Sequence, residues 1–126
     1  MTARVRGVTI DVADLDVSSV FWGSLLGIEV TGRYDTYVWL DEIAPGVPLI
    51  LQQVAEPKRR KNRLHLDVQS DGGQDLSTLV EALGGTRLGD VEDPAYSLTV
   101  MADPDGNEFC ILHRLSAALG DIEEMP

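Results

Sequence analysis

The sequence predicts an α+β domain built from two βαβββ modules. Two observations carry this prediction. A strand with one apolar and one polar face opens each half of the chain, and a helix that ends at Leu-Gly follows each of these strands. Three further short strands follow each helix. Because one such module leaves a sheet face uncovered, we expect both to form a single domain of 126 residues, an open, cup-shaped barrel with helices on the outer faces.

The first module covers roughly residues 4–55. Its opening stretch, VTIDV, alternates apolar with polar residues and so predicts a strand. Asp14 is a suitable N-cap and Gly27 a suitable residue just past a helix, so we predict a helix over residues 15–26. We expect its core-facing side to hold Val17, Val20, Phe21 and Leu25, with Trp22 also in the core. Three strands are predicted in the stretches IEVTGRY, TYVWLDE and VPLILQQV.

The second module covers roughly residues 62–114 and repeats this order. The stretch RLHLDVQ predicts a strand over residues 63–69, with Leu64, Leu66 and Val68 on its apolar face. A helix is predicted over residues 74–83, and three strands in the stretches TRLGDVE, YSLTVMA and EFCILHR. We expect residues 115–126 to be an acidic, frayed tail.

Composition excludes several classes of partner. The formal net charge of −11 argues against nucleic acid and anionic membranes. A single cysteine excludes an internal disulfide and, together with the lack of a signal-peptide pattern, favours the cytoplasm. Five of the ten basic residues lie in the joint between the modules, residues 58–63. This joint is either a solvated linker or a cationic rim that attracts an acidic small molecule.

The polar faces of the two opening strands supply ionisable side chains to the predicted cup. Alternation places Asp11, His65 and Asp67 on that side, and Trp39 on a later strand of the first module. Two carboxylates near one imidazole favour the charged imidazolium, which suits anion binding or general acid catalysis. The alternative is that the two carboxylates bind loop backbone or pair with Arg63 or Lys61.

Three stretches, VADLDVSSVFWGSLLGIEV, KNRLHLDV and ADPDGNEFCIL, resemble the vicinal oxygen chelate superfamily. This is the glyoxalase/bleomycin-resistance/dioxygenase group, and the stretches are most similar to its glyoxalase-like subgroup. The resemblance covers roughly residues 4–114. It implies paired βαβββ modules, frequent dimers, and an open barrel that holds a divalent metal or a bound small molecule. We therefore expect a homodimer, which would also cover open sheet edges.

The resemblance implies metal ligands on the first, fourth, fifth and eighth strands. Here the matching positions hold Gly7, Gln52 or Gln53, His65, and Cys110 in place of the usual glutamate. Zinc needs at least three protein ligands, and hard cations prefer oxygen to a thiol. We therefore expect no metal cofactor, and Cys110 is then a small buried apolar residue. A soft-ligand zinc site of His65, Cys110 and an Asp or Gln is the alternative left open.

These patterns predict a glyoxalase-like small-molecule-binding protein that lacks a complete metal site. The ligand, for which an acidic molecule is one option, is expected to contact Asp11, Trp39, Gln52, His65 and Cys110. The alternative is a metal-dependent or His65-based lyase, isomerase or dioxygenase in which His65 and Asp67 are catalytic. The sequence leaves open whether the protein is an enzyme.

Overall fold

The structure of the protein, a computed structural model, describes residues 2, 4–72 and 74–115. Its order of elements confirms the α+β class and the two βαβββ modules. The chain divides into two compact units, Met1–Arg59 and Arg60–Pro126. The predicted cup concerns the arrangement of these two units and stays a prediction. Among the described residues, no helix has the length and apolar character to cross a membrane.

The first unit contains one helix and a four-stranded sheet. Its elements are β1 (Val8–Val12), α1 (Leu15–Leu26), β2 (Val30–Tyr34), β3 (Tyr37–Ala44) and β4 (Val47–Gln53). The strand order is β1-β4-β3-β2, with β1 parallel to β4 and the other pairs antiparallel. The helix packs on β3 and β4. The sheet residues buried on that side are Val12, Val38, Leu40, Leu49 and Leu51.

Helix α1 has the predicted bounds but not the predicted buried face. Asp14 caps it, because its carboxylate accepts from the backbone N–H groups of Asp16 and Val17 at 2.9 and 3.0 Å. Val17 and Val20, predicted to be in the core, are 49% and 63% exposed. Phe21 and Trp22 are buried as predicted, and the rings meet edge to face at 5.1 Å. The two large rings set the rotation of the helix because their burial removes more apolar area from water than burial of two valines.

The second unit repeats the arrangement. Its elements are β5 (Asp67–Val68), α2 (Ser77–Ala82), β6 (Thr86–Glu92), β7 (Tyr96–Ala102) and β8 (Glu108–Leu115), with strand order β5-β8-β7-β6. Strands β6 to β8 lie where the sequence predicts them. The predicted helix over 74–83 is shorter and has Leu76 as its N-cap residue. The carboxylate of Asp75 accepts from the backbone N–H and the hydroxyl of Ser77, which holds Asp75 in a turn just before the helix. The predicted tail lies outside the described residues except for Leu115, which ends β8.

Strand β5 is much shorter than the predicted strand over 63–69. Only Asp67 and Val68 pair with β8, and Leu64, predicted to be apolar core, is 89% exposed. The reason lies at the start of β8. The side chain of Asn62 donates to the carbonyl of Glu108, and its backbone N–H donates to the carboxylate of Glu108, both at 3.0 Å. These contacts tie the joint to β8 without a continuous ladder, so the chain reaches strand geometry only near Leu66.

Candidate functional site

The exposed face of the first sheet carries three of the predicted ligand contacts. The register pairs Asp11 with Gln52 and Gln52 with Tyr37, and in the next row pairs Ile50 with Trp39. Side chains in register across a sheet share a face, so Asp11, Gln52 and Trp39 lie on the side opposite α1. This register also shows which of the two candidates, Gln52 or Gln53, lies on this face. Gln52 lies on the shared face, whereas the side chain of Gln53 donates to the carbonyl of Ala13.

Aromatic rings form a pocket on this face. Tyr34, Tyr37 and Trp39 line a pocket of about 260 Å³ and remain between 37% and 60% exposed. The rings of Tyr34 and Trp39 lie edge to face with centroids 6.4 Å apart. The amide of Gln52 donates to the hydroxyl of Tyr37 at 3.0 Å, which orients that ring. The sequence identified Trp39 but not the two tyrosines, although alternation along β2 and β3 places all three on one face.

The second unit brings His65, Asp67 and Cys110 together. Strands β5 and β8 are parallel, with Asp67 directly opposite Cys110, and the backbone N–H of Cys110 donates to the carbonyl of Leu66 at 2.9 Å. His65, two residues before Asp67, points to the same cluster. Its Nε2 lies 3.3 Å from Oδ1 of Asp67. One donor atom from each of the three side chains lies within 4.8 Å of the other two. We call these three residues the His-Asp-Cys cluster.

Burial and charge hold Cys110 as a neutral thiol. The residue is only 8% exposed, and desolvation raises the pKa of its thiol above the ordinary range. The carboxylate of Asp67 raises that pKa further, as an acceptor for the thiol proton and as a nearby negative charge, while the positive charge of Lys61 opposes the effect. His65 and Asp67 differ from Cys110 in access, with side chains that are 48% and 50% exposed. The cluster therefore has a buried end and a solvent-facing end.

Cys110 is expected to react slowly with iodoacetamide in the folded protein. The thiolate is the attacking form, and both burial and the raised pKa lower its population at neutral pH. We expect alkylation to be about tenfold or more slower than in the same protein unfolded in urea, and to accelerate as the pH rises. The mass of the intact protein against reaction time measures both rates. Equal rates in the two states would contradict the assignment of a protected thiol.

Two further polar side chains of this unit received no role in the sequence analysis. Glu108 lies two residues before Cys110 on the same strand, so alternation places both on one face. Its carboxylate accepts a hydrogen bond from the backbone N–H of Asn62, and so Glu108 contacts the joint between the modules. His113, the other histidine of the chain, received no role. Its Nε2 lies 2.8 Å from the hydroxyl of Thr99, which donates to Asp90 at 2.8 Å. Thr99 is nearly fully buried, so this contact gives a buried polar group of the sheet a hydrogen-bond partner. His113 therefore has a structural role.

The donor set can be compared with the divalent metal that the superfamily resemblance implies. The first-strand position is Gly7, which has no side chain, and a Cβ there would lie 3.1 Å from Cδ1 of Ile50. A thiol at the eighth-strand position does not suit Mg²⁺ or Mn²⁺, which prefer oxygen ligands. The His-Asp-Cys cluster instead offers nitrogen, oxygen and sulfur, which suit zinc and similar cations. The sequence left open an Asp or Gln beside His65 and Cys110, and in the structure the residue there is Asp67.

Solved structures with a similar fold have names that refer to different functions. A glyoxalase/bleomycin resistance protein from Albidiferax ferrireducens T118 is 24% identical, with 86% of this chain and 97% of that chain covered and a TM-score of 0.64. A mutant of the fosfomycin resistance protein FosX from Listeria monocytogenes, complexed with Mn(II) and dihydroxypropylphosphonic acid, is 17% identical over 90% of this chain and 91% of that one, with a TM-score of 0.73. At these identities the likeness shows the fold.

A glyoxalase/bleomycin resistance protein/dioxygenase family enzyme from Burkholderia phytofirmans PsJN is similar as well. It is 20% identical, with 87% of this chain and 98% of that chain covered and a TM-score of 0.69. No curated protein matches the chain. The family model described as a glyoxalase-like domain matches residues 7–112, which include both modules and both groups of candidate site residues. The chain therefore belongs to the glyoxalase-like domain family, within the vicinal oxygen chelate superfamily.

Proposed function

We propose that this protein binds a small organic molecule on the exposed face of its first sheet. The observation that carries the proposal is the aromatic pocket of Tyr34, Tyr37 and Trp39 beside Gln52 and Asp11. Ring faces supply apolar contact area, while an amide and a carboxylate orient a ligand, which is the usual composition of a small-molecule site. A pocket of about 260 Å³ suits a compact ligand.

The ligand-binding proposal agrees with the names of similar proteins. Relatives of this fold are named as bleomycin or fosfomycin resistance proteins, and both names refer to small organic molecules. The absent side chain at Gly7 and the thiol at Cys110 favour binding over chemistry at a hard divalent metal. The ligand contacts predicted for His65 and Cys110 stay predictions, and a homodimer is part of this proposal.

The dye anilinonaphthalene sulfonate, an anionic aromatic molecule, tests the proposed pocket. We expect saturable binding with quenching of the exposed Trp39, and Trp39→Ala to weaken the affinity about tenfold or more. Leu88→Ala is the matched control, because it removes another exposed apolar side chain, from β6 in the second unit, and should change the affinity by less than about twofold. Added salt should weaken binding of this anion if the basic joint attracts it.

Equal affinity in Trp39→Ala and the original protein would contradict the proposed pocket. Native mass spectrometry of the purified protein provides an independent observation. It reports a retained organic molecule and the number of chains in the same measurement. A retained molecule that is lost in Trp39→Ala would support the proposal, and a molecule retained equally in that variant would place binding elsewhere.

An acid–base enzyme is the second candidate, favoured by the contact between His65 and Asp67. A carboxylate 3.3 Å from Nε2 can hold the imidazole in one orientation, which suits general acid–base catalysis. Both side chains are half-exposed and so within reach of a substrate. A lyase or isomerase of this kind would lose its activity in His65→Ala, whereas ligand binding in the aromatic pocket would persist in that variant.

A further inference from the structure

We propose that the aromatic pocket of the first unit selects a small organic cation, an amine or quaternary ammonium group, over an uncharged molecule of the same shape. The inference rests on the proposed function, because it names the class of ligand that the same pocket takes. The basic joint suggested an acidic ligand as one option. The side chains around the pocket favour the opposite charge.

The three rings give the pocket the composition of a cation-binding site. The faces of tryptophan and tyrosine rings carry partial negative charge, and they attract an ammonium group that lies within about 6 Å of the ring centroid. The ring planes of Tyr34 and Trp39 are inclined at 80°, with centroids 6.4 Å apart, and Tyr37 completes the lining. One cationic head group can therefore contact more than one ring at the same time.

Gly32 of β2 makes room for this arrangement of rings. It is the register partner of Trp39, and the ring of Tyr34 lies over it. A Cβ at Gly32 would lie 2.6 Å from the hydroxyl oxygen of Tyr34 and 2.8 Å from Cζ of the same ring. Any other residue at this position would displace that ring. Gly32 is thus a positioning residue for one wall of the pocket.

Two carboxylates lie beside the rings. Asp41 and Glu42 line an open cavity of about 550 Å³ that shares Trp39 with the aromatic pocket. A backbone N–H group donates to one oxygen of each carboxylate, at 3.0 and 2.9 Å, which limits the positions of both side chains. A negative charge next to an aromatic ring adds to the attraction of the ring face for a cation.

The basic residue of the same two strands is directed away from the pocket. Arg33 follows Tyr34 in alternation on β2 and so lies on the opposite face, where its guanidinium donates to Asp16 of α1 at 3.0 Å. On the pocket side, Asp11 lies in the register row of Tyr37, two strands or about 10 Å away. Strands β1 to β3 therefore place carboxylates beside the pocket and their guanidinium on the helix side.

Two probes that differ in charge but hardly in shape test the selectivity. Choline carries a quaternary nitrogen where 3,3-dimethylbutan-1-ol has a carbon atom. Isothermal titration calorimetry or quenching of Trp39 measures the Kd of each probe. We expect choline to bind about tenfold more tightly, and its binding to weaken with added salt. An anionic aromatic dye binds ring faces through apolar contact, so its binding tests the pocket and not the preference for charge.

Two variants separate the contributions of ring and carboxylate. Trp39→Leu keeps an apolar side chain but removes the ring face, so the preference for choline should fall about fivefold or more. The double variant Asp41→Asn with Glu42→Gln should lower it about threefold. Glu81→Gln is the matched control, because it removes an exposed carboxylate from α2 in the second unit, and it should change the preference by less than about twofold.

Gly32→Ala tests the position of the Tyr34 ring without removing a ring. We expect the affinity for choline to fall about fivefold, while the urea midpoint changes little because the displaced ring is already 60% exposed. Gly89→Ala on β6 is the matched control, since a Cβ there meets no atom within 4 Å.

Equal affinity of the original protein for the two probes would overturn the preference for a cation. The pocket itself would stand in that case if both probes lost affinity in Trp39→Leu. A preference for choline that is the same in Trp39→Leu, in the double variant and in the original chain would also overturn the inference. Circular dichroism checks that each variant is folded.

Discussion

Trp22→Ala is expected to lower the free energy of unfolding by about 3–5 kcal/mol. The side chain is 1% exposed, stacks edge to face on Phe21, and belongs to the face of α1 that packs on β3 and β4. Its removal leaves a cavity among close-packed side chains that relax only partly. Because small domains are stable by only about 5–15 kcal/mol, this loss is a large fraction of the total. Urea denaturation followed by circular dichroism measures it.

Val20→Ala is the matched control for Trp22→Ala on the same helix. Val20 is 63% exposed, and alanine has the higher helix propensity, so this change should alter the free energy of unfolding by less than about 0.5 kcal/mol. A comparable loss in both variants would show that α1 does not bury the face of Phe21 and Trp22 in preference to that of Val20. A large loss in Val20→Ala alone would favour the face that the apolar spacing of Val17 and Val20 predicts.

Asp103→Ala is expected to cost about 2–4 kcal/mol, since it removes the acceptor that organises the turn before β8. Asp103 is 2% exposed. One carboxylate oxygen accepts from the backbone N–H groups of Asp105 and Asn107 at 2.9 and 2.8 Å, and the other accepts from the side-chain amide of Asn107 at 3.0 Å. Alanine would leave these donors without their carboxylate partner in a half-buried turn. Thermal or urea unfolding measures the loss.

Two other variants separate the role of Asp103 from a general effect of charge. Glu81→Ala removes an exposed carboxylate from α2 and should cost less than about 0.5 kcal/mol. Asp103→Asn keeps one oxygen for the two backbone N–H groups but sets its amide against that of Asn107, so an intermediate loss is expected. If Asp103→Ala were no more destabilising than Glu81→Ala, the turn would not depend on this carboxylate.

The sequence predicted most elements because their signals are local. Asp14 caps α1 and Gly27, at φ 66°, ends it, so both bounds follow from residues beside the helix. Strands β6 to β8 have the predicted places, because short runs between turn residues leave few alternatives. The two groups of candidate site residues follow from alternation, which determines side-chain direction along a strand without knowledge of its partner.

Tertiary contacts determine two features that the local sequence pattern leaves open, the buried face of α1 and the length of β5. Helix α1 is apolar on more than one side, so spacing alone cannot choose between Val20 and Trp22, and packing on the sheet makes that choice. The length of β5 depends on Asn62 and Glu108, which are distant in sequence and meet only in the folded second unit.

The same limit applies to the His-Asp-Cys cluster. By itself the sequence determined that His65 and Asp67 share a strand face and that Cys110 lies on a later strand of the same module. It did not determine that Asp67 faces Cys110, because strand pairing depends on contacts between residues 43 positions apart. Only the folded sheet, where the parallel register of β5 and β8 sets Asp67 opposite Cys110, brings Asp67, Cys110 and His65 into one cluster.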